Sequence, residues 1–182
     1  MMNAVKYIAS IFLCNLYRLL RIFPNNDPIT GVVLVNAKRE KLWKSLLFPI
    51  SVIFSFDFFT SGIGLWTFGV SLAYVCIALI FRFVFSRMKE VKLLTYAKSA
   101  FVSVLIFDFI TGPIMSGWLF RIPFEIALIS QIPFTIAHLA SAVMLTIIIA
   151  PVLDPDVSRE VQGIFSLYRS RAARIISAIT RF

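Results

Sequence analysis

The chain has 182 residues, of which 59% are hydrophobic and 19 are Phe, and its mean hydropathy is +0.89. Only 15% are charged, yet 18 Lys and Arg stand against 9 Asp and Glu, a net charge of +9. A water-soluble domain carries roughly 45–50% apolar residues and cannot hide this excess. Disorder needs low hydrophobicity, and a nucleic-acid binder would account for the charge but not for the Phe and Ile. What remains is an all-α, polytopic membrane protein with basic ends and no nucleic-acid partner.

A spanning helix needs about 20 mostly apolar residues. The first segment is Ala4–Phe23, read as a retained helix because it runs into Arg18 and Arg21 with no small-x-small cleavage site. The turn residues Pro24–Pro28 follow. Ile29–Ala37 is apolar but covers only about half a bilayer. Leu42–Thr60, Ile63–Phe85, Leu93–Trp118 and Phe124–Leu153 complete six segments, with Pro133 expected to kink the last. Residues 1–153 therefore read as a six-helix transmembrane domain and 154–182 as a separate charged helix. Cys14 and Cys76 lie inside apolar segments without metal or redox spacing, as packing residues do.

Charge sorts the two sides. With six spans, Arg18, Arg21 and Arg121 fall outside and the other 15 of the 18 basic residues fall in the cytoplasm, as the positive-inside rule requires. This places the chain in a cell membrane of the bacterial inner type, multi-pass, with residues 154–182 cytoplasmic. If Ile29–Ala37 only dips into the bilayer, the first segment starts from the other side.

The chain also repeats itself. Lys38, Lys41, Leu42, Phe56, Asp57, Phe58 and Thr60 reappear in order as Lys89, Lys92, Leu93, Phe107, Asp108, Phe109 and Thr111, and after one inserted residue Trp66 matches Trp118. The copies run in the same direction, a pattern seen among transporters. By this parallel Asp57 and Asp108 both sit at outer helix ends, as ligand acceptors in a pocket or as helix-end residues paired with arginine.

Further polar residues interrupt the apolar segments. Gln131, Thr135 and His138 share one face of the last segment, and Thr67, Ser71 and Tyr74 share one face of the fourth. They either line one cavity or bond helix to helix. Asn25, Asn26 and Asp27, bracketed by prolines, read as a polar lid or an ordinary turn. Trp66 and Trp118 suit a flat ligand or an interfacial aromatic belt. His138 is the single histidine, so a multi-histidine metal site is impossible, and no metal or cofactor is expected. No GxSxG, HExxH, P-loop or GxGxxG is present, which points away from an enzyme.

In the last stretch, Val157, Val161, Ile164, Phe165, Tyr168, Ala172, Ile175, Ile176 and Ile179 recur at helical spacing with the arginines mostly off that stripe. An amphipathic helix on an anionic membrane surface is expected, or one docked on a cytoplasmic protein.

The six-segment plan, the polar loop after the first helix and the ending SQIPFTIAHL…IIIAPVL resemble the substrate-binding S components of energy-coupling-factor vitamin transporters, over Ala4–Leu153. The resemblance implies a six-helix protein that captures a vitamin or micronutrient from outside. It also implies a transmembrane coupling protein and ATPase subunits as partners. The family's pocket regions contain, in this chain, Asn25, Asn26, Asp27, Trp66, Asp108, Trp118 and Gln131. Where the family's first helix often carries two alanines separated by three residues, Ala4 and Ala9 here are separated by four.

Overall fold

The computed structural model describes residues 4–20 and 27–179, with side chains described as far as 171; Asn25 and Asn26 of the expected lid lie outside the described residues. Among the described residues the chain forms seven helices and no strand. They are α1 (Ala4–Leu20), α2 (Ile29–Arg39), α3 (Leu42–Phe59), α4 (Leu65–Ser86), α5 (Leu93–Phe120), α6 (Phe124–Leu153) and α7 (Pro155–Ile179). Four of them, α3 to α6, are long and apolar enough to cross a membrane. Of the six spans expected from hydropathy, these four are long and apolar enough among the described residues; the first expected segment is described only as far as Leu20, and α2 has 11 residues.

The breaks between helices follow from local chemistry. At the end of α3, the N–H groups of Thr60 and Gly62 both reach back to the Asp57 carbonyl, at 3.2 and 2.7 Å. Gly62 takes φ 82°, a left-handed turn that suits a residue without Cβ. The second copy of the repeat behaves differently. Where α3 stops, α5 continues through a π-turn at Ile110–Ile114 containing Pro113, then a last helical stretch Met115–Phe120. A wider turn absorbs the proline, which has no N–H to give the α ladder. Asp108 therefore does not sit at a helix end as Asp57 does; twelve residues of α5 lie beyond it.

Packing is inverted relative to a soluble bundle. Phe59, Leu72, Trp118 and Ile136 are largely exposed, while the buried positions of α1 are Ser10 and Cys14. On α1 the polar side faces inward: the Tyr7 hydroxyl donates to the Lys44 carbonyl at 2.8 Å and the Asn15 amide to Ser55 Oγ at 2.7 Å. In lipid there is no hydrophobic gain from joining helices, so close packing and such bonds hold the bundle.

Helix α2 is the centre of the fold. Every residue from Ile29 to Ala37 is buried, enclosed by α3, α4, α5 and α6. A half-length helix inside a bilayer must be shielded by protein, because its ends carry unpaired backbone groups. Gly31 lets it approach α6, since a Cβ there would stand 3.1 Å from Thr146 Oγ1. Phe48, Ile53, Ile77, Phe85 and Tyr96 pack with it.

The basic runs gather at one end. Arg39, closing α2, bonds Asp154 and Asp156 at the α6–α7 junction. Tyr96 donates to Asp154 at 2.8 Å, and the Arg82 guanidinium donates to the Glu40 carbonyl at 2.7 Å. Arg39 and Arg159 hold the Asp156 carboxyl below its ordinary range. Lys38, Lys89, Lys92 and Arg159 border one cleft here. The alternation of α3 to α6 places the Asp57 turn and Arg121 at the opposite end. Packing is looser towards that end: on α6, Ala127 is the one buried residue before His138.

Candidate functional site

Four side chains from separate parts of the chain converge beneath this looser half. His138 lies near the middle of α6, about 20 Å from either end at 1.5 Å per residue. Its Nδ1 is 2.8 Å from Asp108 Oδ1 on α5. A carboxylate only accepts, so Nδ1 carries the proton and donates. On the other side of the ring, Nε2 is 3.8 Å from Asp27 Oδ2, just before α2. Tyr74 of α4 donates its hydroxyl to the same Asp27 oxygen.

The start of α2 sets the position of Asp27. Its Oδ1 accepts the Ile29 N–H at 2.9 Å, satisfying one of the backbone donors that a helix N-terminus leaves open, and its Oδ2 accepts the Thr30 side-chain hydroxyl at 3.2 Å. The expected lid residue is thus drawn into the bundle. An unpaired carboxylate there would be costly, and the Ile29 N–H, the Thr30 hydroxyl and the Tyr74 phenol supply its partners.

The resulting chain, Tyr74–Asp27–His138–Asp108, joins the two polar stripes of α4 and α6 side chain to side chain. Phe107 covers it, its ring 4.5 Å from Tyr74 and 5.7 Å from His138 by centroids. Two buried atoms of the chain have no hydrogen-bond partner among the described residues: Asp108 Oδ2 and His138 Nε2. Asp108 also borders a cleft of about 250 Å³ between α5 and α6. Gln131 and Thr135 supply its other polar walls, and Leu105, Phe109 and Ile132 are among its apolar ones. Gly112 in the π-turn makes room for Gln131: a Cβ there would lie 2.6 Å from its Oε1.

The remaining expected residues lie elsewhere. Asp57 Oδ2 accepts the Thr67 hydroxyl at 2.6 Å and borders a second cleft with Gly62, Trp66 and Phe120. Trp66 tilts over Phe120 at 6.1 Å. Trp118 is 74% exposed and enters neither cleft, which fits the aromatic belt. Among the described residues, Asp57 pairs with a hydroxyl and Asp108 with an imidazole; Arg21, one of the arginine partners considered, lies outside them. Sequence reasoning did not select Tyr74 or Thr30 as site residues. Their signal was present: Tyr74 ends the polar stripe of α4, and Thr30 stands three residues after Asp27.

Fold, composition and this buried polar chain define a helical membrane protein. Comparison of the chain with protein-family profiles, curated protein sequences and solved structures finds no match.

Proposed function

We propose that the chain is a membrane binding and uptake protein for a small molecule such as a vitamin or micronutrient, and not an enzyme. The observation that carries this reading is Asp108. One of its oxygens is held by His138 at 2.8 Å; the other is buried without a partner among the described residues, and Asp108 borders an apolar cleft. A buried acceptor left open is costly, and a ligand N–H or O–H is what satisfies it. The ligand would meet Asp108, Gln131 and Thr135 with its polar groups and the apolar walls with its skeleton, the usual division of labour in such sites. Tyr74, Asp27 and His138 orient Asp108 and share its charge.

Capture is from the looser side, which the charge distribution makes the outer one, and the basic end is cytoplasmic. With no P-loop in the sequence, inward release draws on a partner. The S-component resemblance supports a transmembrane coupling protein with ATPase subunits. The alternative, a structural or assembly protein without a ligand, is favoured only at Asp57, whose Oδ2 bonds Thr67.

The test is mass spectrometry of small molecules released from the detergent-extracted protein. The wild type should carry a compound that falls roughly tenfold in Asp108→Asn, the loss expected for a hydrogen bond to a charged group. Asp57→Asn should retain it. The reading fails if the compounds match those from an unrelated membrane protein purified alongside, or if Asp108→Asn keeps them at equal yield.

A further inference from the structure

Helix α7 lies apart from that site, and its apolar stripe has two fates. Val157 is fully buried and Val161 packs against the core, so the first two turns rest on the bundle. The Glu160 carboxylate accepts the Leu93 N–H at 2.9 Å and fixes this seat. Asp154, with extended backbone at φ −106° and ψ 110°, ends α6 and lets α7 begin on a new axis. Beyond Gly163 the same stripe runs off the bundle: Ile164 is 45%, Phe165 70% and Tyr168 69% exposed.

The charge changes at the same point. No Asp or Glu follows Glu160, whereas Arg169, Arg171, Arg174 and Arg181 do. At about 100° per residue, Arg169 falls some 100° to one side of Tyr168 and Arg171 some 60° to the other. Arginines flanking an apolar stripe on both sides can bury their stems beside it and keep their guanidinium groups at the level of phosphates.

We propose that α7 beyond Gly163 lies in the headgroup layer of an anionic leaflet, with Ile164, Phe165 and Tyr168 dipped among the acyl chains. Two observations choose lipid over a protein partner. The stripe continues a face already seated on a membrane-spanning bundle, so what borders that bundle at the same level is the bilayer itself. The stretch that leaves the bundle is also purely basic, with Arg169, Arg171, Arg174 and Arg181 and no Asp or Glu. Bound apolar area and attraction to anionic headgroups act together in such helices. The proposal rests on the membrane assignment alone and is independent of the ligand reading.

The full chain, with Cys14 and Cys76 changed to Ser, is labelled with an environment-sensitive fluorophore at Ile164→Cys or at Ser170→Cys on the opposite face. It is reconstituted in phosphatidylcholine bilayers with or without phosphatidylglycerol. The Ile164→Cys probe should be quenched by spin-labelled lipid, more strongly with phosphatidylglycerol and less in high salt, while the Ser170→Cys probe stays open to aqueous quencher. Arg169→Gln and Arg171→Gln should each weaken the phosphatidylglycerol-dependent association about fivefold, the worth of one basic residue near an anionic surface. Two results overturn the proposal: equal aqueous quenching of both probes, or an Ile164→Cys probe shielded from water yet untouched by lipid quencher.

Discussion

His138 serves two carboxylates with one ring, and that makes it the most consequential single residue. Removing one partner from a buried ionic group costs more than the group contributes when paired, typically about 3–5 kcal/mol. His138→Ala should therefore lower stability by about that amount in denaturant unfolding of the detergent-solubilised protein. His138→Ala combined with Asp108→Asn should recover part of the loss, because one stranded charge is gone; the two effects will not add. Much of this residue-scale picture was legible. The spacing of Gln131, Thr135 and His138 gave them one face, and they do share one side of α6. The partnership with Asp108 was not legible, because nothing local links residues on separate helices. The repeat also misled, by casting Asp108 as a helix-end residue like Asp57. Asp27 read as a lid because prolines around polar residues mark a loop, and only packing shows that this loop enters the bundle.

At the scale of elements, α2 governs how closely the other helices can stand. A side chain at Gly31 would meet the backbone of Thr146, with a Cβ 3.2 Å from its Cα. Gly31→Val should destabilise the protein by about 1–3 kcal/mol through overpacking. Gly64→Ala, where a Cβ meets nothing within 4 Å, should leave the same thermal-unfolding midpoint nearly unchanged. The half length of α2 was apparent from hydropathy, and the long segments matched α3 to α6 closely. Its complete burial was not apparent. An apolar run with no polar face looks alike whether lipid or protein surrounds it. Hydropathy measures apolar length and not what covers it, so it could not separate α2 from a short lipid-facing segment.

For the whole molecule, Arg39, Arg82, Lys89 and Lys92 lie at one end of the helices and Arg121 at the other. Cysteines placed at Lys89 and at Arg121 should react with a membrane-impermeant thiol reagent from opposite faces of sealed cells and inverted vesicles. Labelling of both from one face would overturn the topology. The height of α2 carries an electrical consequence. Its 11 residues fill about 16 Å at the basic end with close-packed protein, roughly half a bilayer core. On the uptake reading, the looser half admits water and the packed half is the insulator, so the membrane voltage falls across α2 and its neighbours. A cation arriving at Asp108 would cross little of the field on entry and nearly all of it on leaving inward, about 2.3 kcal/mol per charge at 100 mV.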